Sequence, residues 1–291
     1  MNSNFVVRTL TGLVFVLVLI GGILWNWITF AILFAVITGM TIWEFTTIIN
    51  QNLSLQVNRL ITTVAGVYLF AAVFAFNREI AGAEVFIPYV LSIIYLPISE
   101  LYLKNEKSLL NWAFAYMAQL YIALPFSTIC ILSFFKTYED HTYMIYYTPI
   151  FTLSVFIFIW LSDSGAYIVG SKIGRHRLFP SISPKKSWEG TIGGAVVSII
   201  ASQLIALNAS NFSETSPLLN HLGWAGLALV VVAFGTWGDL VESMLKRRLG
   251  IKDSGNILPG HGGMLDRFDS SLMAFPAAMV YIYILVSAKY F

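Results

Sequence analysis

Three short stretches of the chain hold residues whose types and spacing could do chemistry. They are WLSDSGAYIVGSKIGRHRLFPSISPKKSWEG at 160–190, FGTWGDLVESMLKRR at 234–248, and KRRLGIKDSGNILPGHGGMLDRFDS at 246–270. In the first, Asp163 sits well inside an apolar run, with Tyr167 one turn further on the same helical face. A carboxylate at membrane depth costs about 2.5–3.5 kcal/mol on insertion scales, which makes it a functional candidate by default. The bland alternative is an Asp near a helix end that reaches water or a neighbouring span. Ser183-Pro184-Lys185-Lys186-Ser187 follows. Ammonium groups, hydroxyls and backbone amides hold phosphate oxygens, so Lys185 and Lys186 are expected to contact phosphate. For Lys172, Arg175 and Arg177, ordinary juxtamembrane charge is as good a reading. Gly170 and Gly174 read as a helix-packing pair.

In the second stretch, Asp239 and Glu242 are three apart and share one helical face at the end of an apolar span. That suits a hard cation such as Mg²⁺, which takes one or two carboxylates together with substrate phosphates. A solvated helix end is the alternative. In the third, Gly260-His261-Gly262-Gly263 removes side chains where a backbone must approach something closely. Asp266 and Asp269 flank Arg267 just before the last apolar run. Charges this varied do not make one solvated face. They fit a pocket for both a metal and a polyphosphate, with Asp on the cation and Lys/Arg on the anions. A P-loop is excluded, because no glycine loop ends in Gly-Lys-Ser/Thr. Structural zinc and a Gly-x-Ser-x-Gly nucleophile elbow are excluded for the same kind of reason.

The elements that must position these clusters are membrane helices. Of 291 residues, 57% are hydrophobic and 11% charged, against about 25% charged in a soluble domain. Mean hydropathy is +0.76. The N-terminal apolar run continues through Trp25 and Trp27 to about residue 49 with no small-residue cleavage site, so it reads as two uncleaved spans. Further apolar stretches fall near 60–76, 85–103, 109–135, 149–171, 190–208, 222–243 and 271–289. Most approach the ~20 residues a spanning helix needs. The expected fold is therefore all-α: about nine transmembrane helices forming a single membrane domain over 1–291. Plain helices occupy 1–145 and the catalytic half is 146–291. With the N-terminus cytoplasmic, 14 of the 17 Lys and Arg fall on the inside, which places the 172–189 and 246–270 loops at the cytoplasmic face. The single cysteine, Cys130, lies in an apolar run with no partner for an internal disulfide.

In this order, the three clusters resemble those of the phosphatidate cytidylyltransferase (CDP-diacylglycerol synthase) family. The resemblance runs along Ser243-Met-Leu-Lys-Arg, Lys252-Asp253, His261-Gly-Gly and Asp266-Arg267-Phe-Asp269, with WLSDSGAY, SPKKSWEG and GDLVES upstream. It covers roughly residues 155–290 and implies that CTP and phosphatidic acid give CDP-diacylglycerol and pyrophosphate. It further implies Asp239 and Asp266 as metal ligands, meeting at one Mg²⁺ with room for a second cation, and Asp163, Glu242 and Asp269 as second choices. Lys185, Lys186, Lys246, Lys252 and Arg267 would hold phosphates, and Ser183 and Ser187 could donate hydrogen bonds. His261 would assist a proton transfer or shape its loop. The partners implied are CTP, phosphatidic acid and membrane lipid, with no nucleic acid and a homodimer as an open option. With no targeting extension, a bacterial inner membrane is the expected location. Two rival classes make different demands. A secondary transporter should show paired halves with broken helices near the midplane, whereas here the polar residues gather on one face. A CDP-alcohol transferase requires an Asp-Gly-x-x-Ala-Arg motif, which is absent.

Overall fold

A computed structural model describes residues 3–103, 105–139, 142–209, 212, 216–255, 257, 260 and 262–287. The chain opens with α1 (Ser3–Trp25), α2 (Trp27–Leu53), α3 (Arg59–Asn77) and α4 (Ile87–Leu103), the last preceded by a 3-10 turn at Ala83–Phe86. Helices α5 (Ser108–Ala118) and α6 (Leu124–Ser133) run together through a π turn at Gln119–Ala123. An antiparallel hairpin, β1 (Phe134–Glu139) and β2 (Thr142–Tyr147), leads to α7 (Ile150–Ile173). A second hairpin, β3 (Arg177–Phe179) and β4 (Ser183–Ser187), precedes α8 (Trp188–Ala206), α9 (Pro217–Arg248) and α10 (Leu265–Ser287).

Among the described residues, eight helical segments are long and apolar enough to cross a membrane, and α1 adds the shorter stretch Thr9–Trp25. This is an all-α polytopic membrane protein, because only helices satisfy their own backbone throughout an apolar chain of this kind. The fourth span forms although Pro97 lies inside α4, while Pro88 sits in its first turn, where no intrahelical donor is lost.

The elements differ from the sequence expectation in three places. Lys185 and Lys186 lie on a strand, not in a loop. Helix α9 continues through Lys246, Arg247 and Arg248, where cations complement the negative end of the helix dipole. Helix α10 starts early enough to include Asp266 and Asp269, and Asp266 in its first turn complements the positive end. Charge at a helix end therefore extends the helix here and does not mark a loop.

The chain divides into two compact units, Met1–Pro149 with Arg248–Phe268, and Ile150–Arg247 with Asp269–Phe291. The first has an aromatic core that includes Phe30, Phe34, Phe45 and Phe70, all fully buried. Phe268 packs edge-on to Phe126 at 5.4 Å and to Phe15 at 5.8 Å. A single residue separates α1 from α2. Asn26 Oδ1 there accepts from Ile28 N (2.8 Å) and Thr29 N (2.9 Å), and Thr29 Oγ1 accepts in return from Asn26 N (3.2 Å), a capping box that starts α2.

The second unit is organised by close helix approach. A Cβ on Gly165 would lie 3.0 Å from the Cα of Gly194, and one on Gly194 would strike the Ser162 carbonyl. Glycines thus let the α7 and α8 backbones touch, as small residues do in membrane interfaces. Gly170 belongs to the same seam, facing the Gly190 Cα at 3.4 Å, and Gly174 abuts Ser187. The packing reading of these two glycines holds. Further along, Phe151 stacks on Trp224 at 5.4 Å and Phe156 meets Phe275 at 5.0 Å.

Candidate active site

The second unit brings together side chains from four elements. The ammonium of Lys186, on β4, lies 2.5 Å from Asp239 Oδ2 on α9. Ser243, one turn along α9, donates to the other oxygen of Asp239 at 3.1 Å. Asp163 on α7 is within electrostatic range of Lys186 and Asp239. Asp269 on α10 is within range of Asp239, Asp163 and Lys246. Asp163, Tyr167, Lys185, Lys186 and Thr236 all line one cavity of about 200 Å³. Three carboxylates and Lys186 thus come within electrostatic range of one another beside this cavity, Asp163 exposed and Asp239, Asp269 and Lys186 partly buried, in a unit that is otherwise apolar.

The hairpin that delivers the lysines is locked at its base. Ser187 ends β4 and caps α8, its hydroxyl accepting from Gly190 N at 3.2 Å. Glu189 accepts from the backbone of Arg175 (3.1 Å) and His176 (3.2 Å) and pairs with His176 Nδ1 at 2.5 Å. Trp188 N donates to His176 O at 2.9 Å, and Arg177 Nη1 to Lys185 O at 3.4 Å. Lys185 is exposed on the same strand, and Ser183 pairs in register with Phe179.

Other residues singled out from the sequence have different surroundings. Glu242 is fully buried and pairs with Lys246 one turn on, at 2.5 Å. Lys252 and Arg267 are exposed. His261 lies outside the described residues. In the first unit, Asp266 Oδ2 accepts from the backbone N–H groups of Ser254 and Gly263, both at 2.8 Å.

Two residues were missed. Glu189 had a local signal, an acid one residue after a predicted helix start. Glu44 had a stronger one, since TIWEFTTI places a carboxylate inside an apolar run, as WLSDSG does for Asp163. Glu44 is buried in α2 and accepts three hydrogen bonds from the 254–265 segment. The same membrane-depth argument applies to both carboxylates.

The donor set is chemically suited to a hard divalent cation, since every converging acid is a carboxylate. Among the described residues, no three His, Cys, Asp or Glu side chains stand together as a complete metal cage.

The profile of the cytidylyltransferase family matches residues 6–285. The phosphatidate cytidylyltransferase of Haemophilus influenzae is 33% identical over 256 residues, 85% of this chain and 87% of that protein. The phosphatidate cytidylyltransferases of Staphylococcus aureus (strain COL) and Staphylococcus haemolyticus are each 40% identical over 173 residues. Those alignments span 60% of this chain and 60% of each staphylococcal protein. With a profile that runs nearly end to end and a relative matched over most of both lengths, the chain belongs to the cytidylyltransferase family.

Proposed function

We propose that this protein transfers the cytidylyl group of CTP to phosphatidate, giving CDP-diacylglycerol and pyrophosphate. The observation that carries the reading is the convergence of Lys186, Asp239, Asp163 and Asp269 in one apolar unit. The relatives' names supply the substrates. A phosphomonoester has a second pKa near about 6, so the lipid phosphate is largely a dianion at neutral pH and needs no strong base. One of its oxygens bonds to the α-phosphorus of CTP as the bond from that phosphorus to the β-phosphate oxygen breaks, and pyrophosphate leaves with the electron pair.

The barrier is repulsion between two polyanions, so the protein's task is positioning and charge neutralisation. Lys185 and Lys186, on a braced strand at the cavity, hold phosphate oxygens. Ser187 is occupied in capping α8 and acts by placing the lysines. Lys246 is held at the end of α9 by Glu242, and Lys252 and Arg267 supply further positive charge. Asp239 and Asp266 are the residues we assign to Mg²⁺, the pairing resting on the sequence, with Asp163, Glu242 and Asp269 in support. When bound, the cation neutralises phosphate charge as it develops.

We place the reaction at the cytoplasmic face of a bacterial inner membrane, on the bias of basic residues. The test of function is pyrophosphate release by purified protein given CTP and phosphatidic acid. Release should require both, and CDP-diacylglycerol should appear in equal amount. A preference for diacylglycerol or another nucleotide would overturn the reading.

A further inference from the structure

Gly260-His261-Gly262-Gly263 raised a question that the fold answers in part: what does this glycine-rich backbone approach so closely? At Gly263 it is Glu44, 219 positions earlier in the chain by residue number. A Cβ on Gly263 would run into Glu44 Oε1, and a Cβ on Gly255 would stand 2.8 Å from Glu44 Oε2. The two glycines keep open the space that the carboxylate fills.

The carboxylate is bonded on both oxygens. Oε2 accepts from Met264 N at 2.8 Å, and Oε1 accepts from Leu265 N at 3.0 Å and from the Ser254 hydroxyl. Met264 and Leu265 lie at the start of α10, where backbone N–H groups have no intrahelical acceptor. Glu44 therefore caps α10 from another helix and complements the positive end of its dipole. Its side chain is buried, and the hydrogen bonds it accepts come from Ser254, Met264 and Leu265.

The network goes one step further. The Ser254 hydroxyl that donates to Glu44 also accepts from Asp266 N at 3.3 Å. Asp266 in turn holds the segment through Ser254 N and Gly263 N. Glu44, Ser254 and Asp266 are thus linked in series. Asp266 cannot shift without loosening Ser254, and Ser254 is held by Glu44.

We propose that Glu44 is a positioning residue, which fixes the 254–265 segment from α2 and thereby sets where the Asp266 carboxylate stands. The consequence for turnover rests on the cytidylyltransferase reading above; the hold on the segment does not. A residue that only stabilised the fold would lower the melting temperature and leave kcat of the folded fraction unchanged.

The experiment uses the full chain purified in detergent, as wild type, Glu44→Gln, Glu44→Asp and Ser254→Ala. Gln keeps the size but presents an amide N–H₂ to one of the backbone donors. Amide hydrogen exchange is followed in metal-free protein, and kcat and KM for CTP are measured separately. Glu44→Gln should exchange the segment covering Met264 and Leu265 at least tenfold faster, with α7 and α8 unchanged. Its kcat should fall tenfold or more with KM for CTP within about threefold. Ser254→Ala should show the same pattern more weakly, and serves if Glu44→Gln does not fold. Glu44→Asp, with its charge kept, should recover part of kcat. Unchanged exchange in the segment, or faster exchange with wild-type kcat, overturns the proposal. If the wild type transfers no cytidylyl group, the functional reading fails instead, and exchange alone decides whether Glu44 holds the segment.

Discussion

Glu44 in α2 and Asp163 in α7 are both carboxylates inside apolar helices, yet their surroundings are opposite. Glu44 is buried and takes donors from Ser254, Met264 and Leu265. Asp163 faces a cavity, and its neighbours are charges, Lys186 and Asp239. A carboxylate surrounded by backbone donors is fixed, and fixes what donates to it. One that faces open space beside a lysine and other carboxylates is held in a state that a substrate or cation can relieve. Natural sites accept such unfavourable electrostatics where function needs them.

The contrast is sharpest in the sign of a stability change. Asp163→Asn removes one of three mutually repelling carboxylates, so its melting temperature should equal or exceed that of wild type. Its turnover should nonetheless fall at least tenfold, because the charge facing the cavity is gone. Differential scanning of the purified variant, paired with the pyrophosphate assay, reads both. A lower melting temperature with normal turnover would place Asp163 beside Glu44 as a structural acid and erase the distinction.

A smaller effect is expected where the second unit depends on backbone contact. Gly194→Val pushes a side chain into the Ser162 carbonyl. Forcing atoms into a closed seam costs about 1–3 kcal/mol, which should lower the melting temperature by several degrees. Turnover should fall too, because α8 carries the braced hairpin at its N-terminus. An unchanged melting temperature would mean that the seam gives way easily and does not position Lys186.

These two cases also show how much could be read in advance. The spans were legible because apolar runs of about 20 residues have few alternatives in lipid. The charged clusters were legible because Asp163, Lys186, Asp239 and Asp269 stand out against a greasy background. The Lys186–Asp239 pair was not, since spacing along a chain does not say which helix faces which. The hairpin carrying Lys185 and Lys186 was too short to show alternation. Glu44 carries the same signal as Asp163, a carboxylate in an apolar run, but its neighbours form no motif, and the motifs lie in the other half of the chain. Close approach at Gly263 was legible from the glycine run 260–263, while the group that approaches it, Glu44, lies in the other half, and Gly255 carried no such signal.

The smallest effect concerns sidedness, where the probe should leave turnover intact. Ser254 is 2% exposed, so the exposed neighbour Asp253 is the better reporter. Single cysteines at Ser181 and Asp253, in a Cys130→Ser background, should resist an impermeant thiol reagent in intact cells. Both should react once the membrane is opened. Labelling of either from outside would reverse the orientation.

The pairing of Lys186 with Asp239 is the feature on which the catalytic reading depends most. Lys186→Gln, Asp239→Asn and the double variant should be compared with wild type for turnover with saturating CTP and phosphatidic acid, each confirmed folded by its melting curve. Groups that act as one unit give strongly non-additive losses. Asp239→Asn should lose at least about a hundredfold and Lys186→Gln at least about tenfold, with the double variant no more than a few-fold below Asp239→Asn alone. Losses that multiply in the double variant, or folded single variants with near wild-type turnover, would contradict a functional pair.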